Sequence, residues 1–433
     1  MLNISLAPGV YLAYSYYGPN SGPYGNAQLN LECLNVTIGP SPANQEGVII
    51  NLSQRLVNTT NEFIFMESSG NSNLTCTTNI TINNLSLIDA TFYSYINQVT
   101  AVFNNIYFST VGGVVLTPID VSAKPLAMPD APRSSMTLNG GRISNWPIGD
   151  DGIAIVASNQ CDLIINGMAL NNNTGSNMFN VMNASFVMVE SVVTANRFRN
   201  DMFSLSGTEP SSMIVNCTIT YNNATAPGAI VSLYDGDVSI QNTWFQSNKV
   251  VYSVLRTLGT MDVSGVTFTN NRVINGSILQ ASNAVFDMTN STLYDNILQN
   301  SNVMNFYASQ VTMSEIIFGP EIYENSVSAP ATPLIICTDG DITLVNITRK
   351  DDSTLRLIDC GLDNACNVHG DESLVCPTER PSPKVGQVGG IGGSGVSVGS
   401  GAIAGMMIGS IIGVACITCL GILVRNRIKR KTQ

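Results

Sequence analysis

The residues with most potential for chemistry are two adjacent carboxylates, Asp150 and Asp151, in the segment PIGDDGIAI. In such a pair one carboxyl can protonate a leaving oxygen while the other activates water. An Asp-Asp-Gly turn between two strands accounts for the same residues without chemistry. Bases to complete a set are scarce, since the chain has one histidine, His369, in a Cys-containing region. No residue set calls for a cofactor or a metal. A second kind of chemistry is modification. Glycosylation sequons occur at Asn35, Asn51, Asn58, Asn73, Asn79, Asn84, Asn172, Asn183, Asn216, Asn223, Asn275, Asn290 and Asn346, among others. Eight cysteines precede the last apolar stretch, an even number in a sequon-bearing chain, which implies oxidising conditions and structural disulfides of undetermined pairing.

A repeat must position these groups. In VSIQNTWFQSN, Phe245 is preceded by apolar residues at minus seven and minus five (Val238, Ile240) and followed by Asn248 at plus three. The same template recurs with anchors Leu170, Val193, Phe268 and Leu293, and with Ile219 where Ser212 fills the first apolar slot. The closing residues Asn173, Asn196, Asn222, Asn248, Asn271 and Asn296 are expected to form a structural ladder, and none of them is a sequon. A period of roughly 23–26 residues signals a solenoid. Two apolar residues at i and i+2 before a turn make a short strand with one face inward. The position three before the anchor is Asn or Gly in most coils, so a left-handed corner is expected there, with Glu190 and Glu315 breaking the column.

Around the regular coils, the template predicts further anchors at Ile38, Leu87, Phe108, Ile143, Phe318 and Ile347. Between Phe108 and Ile143 an excursion containing Pro118, Pro125, Pro129 and Pro132 is expected to leave the coil as a loop. The opening NISLAPGVYLA reads as a strand already under way, which predicts that the chain starts inside the domain and lacks upstream sequence. The expected organisation is a parallel β-helix ectodomain over 1–350, a Cys-containing juxtamembrane segment over 351–378 and a Pro/Gly/Ser linker over 379–401. A transmembrane helix over 402–424 and a basic cytoplasmic tail over 425–433 follow. Gly401, Gly405, Gly409 and Gly413 share one helix face, the geometry of membrane-helix association, which predicts a homodimer.

The FxxN closures and the segment NNATAPGAI resemble the FxxN and GGAI repeats of chlamydial polymorphic outer-membrane proteins and the coils of Asn-rich protist surface proteins. The resemblance covers roughly residues 4–350. It implies an all-β, right-handed parallel β-helix of the pectin-lyase-like type. It departs from the bacterial proteins at the C-terminus, where one apolar stretch and a basic tail replace a β-barrel. The segment around Asp150 and Asp151 is similar to the GDDC motif of family 28 polygalacturonases, which implies a hydrolytic role for those two carboxylates alone. The family's Asn-Thr-Asp is missing, His369 lacks the flanking glycines, and Arg427-Ile428-Lys429 lies beyond the expected membrane helix. Pectate lyases need clustered acids for calcium and a basic residue acting on the α-proton, and so few coil residues are Lys or Arg that none can be nominated.

Charge narrows the partners. The whole chain carries a formal −11, and the five basic residues of the tail leave −16 on everything before them. Such a surface repels nucleic acid and anionic lipid. The positive-inside bias puts the tail in the cytoplasm and the rod outside at the plasma membrane. Two readings follow: a single-pass cell-surface glycoprotein whose rod serves recognition or adhesion toward extracellular glycans or surface proteins, and a membrane-tethered polysaccharide hydrolase or lyase.

Overall fold

The alternation of inward apolar and outward polar residues becomes strand after strand. The computed structural model describes residues 2–6, 9–12, 35–40, 48–51, 62–67, 78–88, 91–95, 99–109, 119–122, 133–146, 153–158, 161–324, 333–350, 357–360 and 366–370. Every regular element among them is a β-strand, arranged in sheets of 25, 12 and 7 strands. The chain is a parallel β-solenoid. One coil runs through Asp237–Gln241 and Trp244–Gln246 of the long sheet, Lys249–Val250 of the seven-stranded sheet and Ser253–Thr257 of the twelve-stranded sheet, then re-enters the long sheet at Thr260–Ser264.

The anchors stack in one register, Leu170 on Val193, then Ile219, Phe245, Phe268 and Leu293. All six are fully buried. Phe245 and Phe268 lie face to face, with centroids 5.2 Å apart, so identical neighbours on successive coils build the core by repetition. Ser212, in an apolar slot, is also fully buried, and its hydroxyl accepts the Phe186 N–H at 3.1 Å.

The corner three residues before the anchor is left-handed in every regular coil, from Asn84 (φ 51°) to Asn346 (φ 54°). Glu190 (φ 50°) and Glu315 (φ 58°) adopt it too, so the column is continuous in conformation although not in residue type. Coil geometry there overrides local preference, at a cost of about 1–2 kcal/mol for a side chain other than Gly or Asn. Gly141 (φ 86°) meets a second constraint, since a Cβ on it would overlap the Ile106 carbonyl.

The closing asparagines form a ladder of buried amides. Asn173 Nδ2 donates to Asn196 Oδ1 (2.9 Å), and the pattern continues through Asn222, Asn248, Asn271 and Asn296 at 2.9–3.0 Å. Each Oδ1 from Asn196 onward also accepts the backbone N–H of the preceding asparagine. The second amide hydrogen goes to the carbonyl of an anchor on the preceding coil, as from Asn248 to Ile219 (2.8 Å). At one end the buried Trp146 occupies the slot and its N–H donates to Asn173 Oδ1. At the other, Glu321 accepts from the Asn296 backbone (2.6 Å) and side chain (3.2 Å).

The structure corrects the reading at four places. Ile38 pairs with Ile82 and therefore fills the minus-five slot; Ile50, paired with Leu87, is the anchor of that coil, and Asn35 sits in a strand rather than at a corner. LNLECLNVTI offers two successive apolar pairs, and template matching chose the wrong one. In the coil after Phe318 the anchor slot holds Arg349, not Ile347. The Pro-containing excursion is not all loop, because Ile119–Ser122 within it pairs on both sides in the twelve-stranded sheet. Finally, the ladder does not stop at residue 350. Ile358–Asp359 pairs with Ile335–Ile336, and Cys366–Gly370 with Gly340–Leu344. Cys366, expected in a stalk, lies in a coil of the solenoid and is bridged to Cys337, with Cα atoms 5.9 Å apart. Cys360 is disulfide-bonded as well.

Candidate functional site

The outer face of the twelve-stranded sheet brings together groups that no sequence motif links. On Ala229–Leu233, Ser253–Thr257 and Ser277–Ser282, Val231, Leu255 and Leu279 point into the core, so Ser232, Arg256 and Gln280 fall in one outward row. Two positions on, the neighbouring outward row contains Ser206, Tyr234, Ser282 and Tyr307. Tyr234 and Tyr307 are 38% and 51% exposed, on coils three apart, or about 14 Å along the rod.

Arg256 is held between two rings. Its guanidinium carbon lies 5.5 Å from the Tyr234 centroid and 5.3 Å from that of Tyr252. Tyr252 Oη accepts from Gln280 Nε2 at 3.0 Å, which fixes the second ring. Tyr234 Oη donates to Asp201 Oδ2 at 2.5 Å, while the other Asp201 oxygen accepts the Ala229 N–H at 2.7 Å. Among the described residues Arg256 has no hydrogen-bond acceptor and no ion-pair partner. A stacked guanidinium keeps its donor edge open, and that planar fork matches a carboxylate.

The electrostatics say what this cluster does poorly. Burial, then the charge of Asp201 and the hydrogen bond to it, push the Tyr234 phenol well above its ordinary range, against a smaller opposing effect of Arg256. The phenol stays protonated and committed to Asp201, so it is a poor Brønsted base. A different grouping lies on the long sheet, where Arg133 pairs with Glu209 and, at 3.6 Å, with Asp162. Burial outweighs Arg133 there and raises the Asp162 carboxyl.

The sequence-nominated residues are dispersed. Asp150 and Asp151 lie outside the described residues, as do Asn58, Asn73 and the four glycines Gly401, Gly405, Gly409 and Gly413. The apolar stretch 402–424 does too; among the described residues no helix is long and apolar enough to cross a membrane. His369 is exposed on the strand Cys366–Gly370, opposite Thr343. No group of His, Cys, Asp and Glu among the described residues could hold a metal.

The sequon asparagines point outward. Asn35, Asn79, Asn84, Asn172, Asn183, Asn216, Asn275, Asn290 and Asn346 are exposed and Asn223 is half-buried, whereas the six ladder asparagines are at most 1% exposed. Seven of them, Asn84, Asn172, Asn183, Asn216, Asn275, Asn290 and Asn346, occupy left-handed corners. The long sheet carries sequons in its strands at Asn3, Asn35, Asn51 and Asn79 and the seven-stranded sheet at Asn223; among the described residues no strand of the twelve-stranded sheet has one.

Two features escaped sequence reasoning. A second amide ladder runs along the outside of the long sheet, from Asn166 to Asn139, Asn104 and Asn83 at 2.8–2.9 Å. Its signal was legible, an Asn four residues before the anchor in four successive coils. The Arg256 cluster had no such signal, because Asp201 is 55 residues from Arg256 in sequence.

No protein-family model matches the chain, and no curated protein matches it either. Among solved structures it is similar to the alginate lyase AlyF-OU02, with 11% identity, TM-score 0.32 and 85% of each chain covered. It is also similar to PfbA, a surface adhesin of Streptococcus pneumoniae, with 9% identity and TM-score 0.28, covering 78% of this chain and 83% of that one.

Proposed function

We propose that the chain is a single-pass cell-surface glycoprotein whose rod recognises carboxylate-bearing glycans on the outer face of the twelve-stranded sheet. One observation carries the reading: Arg256, a guanidinium with no acceptor among the described residues, sits between two tyrosines on the sheet whose described strands carry no sequon. Glycans on the corners and on the long sheet would leave that face open. Half-buried Asn305, in the same outward row, offers an amide to sugar hydroxyls, and exposed Tyr234 and Tyr307 offer ring faces. The right-handed coil, the membrane helix over 402–424 and the cytoplasmic tail complete the proposal.

The test is retention of the purified protein on neutral and acidic oligosaccharides, wild type against Arg256→Gln. Acidic sugars are expected to bind the wild type and to bind the variant at least about tenfold more weakly, the scale of a lost charge-assisted hydrogen bond. Equal retention by both proteins overturns the reading.

A second reading, a polysaccharide lyase or hydrolase, is favoured by one observation, the convergence of Asp201, Tyr234 and Arg256 in one cluster. The elevated Tyr234 phenol opposes it, since proton abstraction needs a base that is free at neutral pH. Cleavage scored on the same oligosaccharides separates the two.

A further inference from the structure

At the corner between the long and seven-stranded sheets, three successive coils expose large apolar side chains. Val192 is 43% exposed, Tyr221 63% and Trp244 55%. They are flanked by Arg197 and Lys249, both exposed, on coils two apart with Asn223 between them. Neither cation has a side-chain hydrogen bond or ion pair among the described residues. Exposed Trp, Tyr and Arg on one surface are the composition of an interface centre.

The complementary surface is on the same chain. Asp237, Asp262 and Asp287 stand on three successive coils of the long sheet's outer face, Asp262 directly opposite Asp287. None of the three has an ion pair among the described residues. Mutual repulsion is felt there, because burial and then Asp287 and Asp237 raise the Asp262 carboxyl.

We propose that a second copy of this chain docks its Asp237–Asp262–Asp287 face on the Arg197–Trp244–Lys249 corner of the first. The match is one of pitch as well as sign. Arg197 and Lys249 lie two coils apart in one column, about 10 Å along the axis. Asp237 and Asp287 are also two coils apart, with Asp237 two residues aside in register, so rods that cross obliquely bring both pairs together. Each copy presents both surfaces, so the contact is heterologous and extends into a row of rods. Asn223 lies within the corner, and a glycan on it closes the surface, so the unglycosylated chain is the form to examine.

The experiment is self-association of the full, unglycosylated chain, read by sedimentation at about 50 mM and 500 mM salt. Wild type is expected to associate at low salt and to dissociate at high salt. Arg197→Glu/Lys249→Glu and Asp237→Lys/Asp262→Lys/Asp287→Lys are each expected to associate at least tenfold more weakly. Mixing the two is expected to restore association, since the intact acidic face of one meets the intact basic corner of the other. Circular dichroism and melting establish that each variant folds. Should a triple reversal fail to fold, Asp262→Asn/Asp287→Asn against Arg197→Gln/Lys249→Gln replaces the pair, with complementation again required. Wild type without salt-sensitive association, a variant that associates as wild type does, or folded variants that do not complement each overturn the proposal. Pairing through the C-terminal apolar stretch would persist in both variants and at high salt.

Discussion

The side-chain amide of Asn248 donates to Asn271 Oδ1, one coil on, at 3.0 Å, and the backbone N–H of Asn248 donates to the same oxygen at 3.1 Å. With its bond to the Ile219 carbonyl and the two it accepts from Asn222, the buried amide uses its donor and acceptor capacity in full. Leucine fits the volume and strands polar groups on both neighbouring coils. Asn248→Leu is therefore expected to destabilise the fold by about 1–3 kcal/mol. Denaturant unfolding checks it, and a midpoint unchanged from wild type would mean that solvent replaces the column.

Cys217 illustrates a different substitution within a column. Ser191, Thr243 and Ser291 occupy the equivalent position, two before the anchor, and each hydroxyl donates to the carbonyl two residues earlier. Cys217 Sγ does the same toward Val215 at 3.2 Å. Neither it nor the buried Cys161 is in a disulfide, so the even count of cysteines misled about these two. Burial pushes the Cys217 thiol up to about 11, which suppresses the thiolate. Cys217→Ser is expected to fold with a stability within about 1 kcal/mol of wild type. The native thiol is expected to resist alkylation at pH 8 until the chain is unfolded, as mass spectrometry would show.

What the sequence made legible is what the coil repeats. Phe245, Phe268 and Leu293 recur at fixed offsets because each must rest on the same slot of its neighbours, and the amides of Asn248, Asn271 and Asn296 must meet end to end. Periodicity carries that information. It fails where a coil carries an insertion, as between Ile38 and Ile50, and where a slot tolerates an unlike residue, as at Arg349. The Arg256 cluster was illegible for a related reason. Its residues lie on outward rows, where no neighbour dictates identity, and their approach depends on the register of strands far apart in sequence.

The bridge between Cys337 and Cys366 ties together strands 29 residues apart in sequence, at the last coil of the described ladder. Among the described strands Cys366–Gly370 pairs on one side only, and a coil stacked on one side gains less from burial than one stacked on both. Replacing both cysteines with alanine is expected to cost about 2–4 kcal/mol. The loss should be local. Amide exchange is expected to speed up at Cys366–Gly370 and Gly340–Val345 while Asp237–Gln241 keeps its protection; uniform acceleration would show that the bridge supports the whole rod.

Asp262 gives stability a pH dependence of defined sign. Its carboxyl is raised by burial, and further by Asp287 and Asp237. A carboxyl raised in the folded state is one whose ionised form the fold disfavours. It therefore subtracts stability above its folded pKa, and the penalty fades as pH falls toward the ordinary carboxylate range near ~4. Asp262→Asn removes the charge while keeping the shape. In dilute, low-salt solution the variant is expected to melt above wild type at pH 7, and the difference is expected to vanish near pH 3, where Asp262 is protonated in both states. Salt should shrink the gain at pH 7 by screening the repulsion, because this face is exposed to solvent. Melting curves over pH 3–8 decide the matter. A variant that melts below wild type at pH 7 would mean that the carboxylate forms a favourable contact in the native rod, and the repulsion inferred among the three aspartates would fall with it.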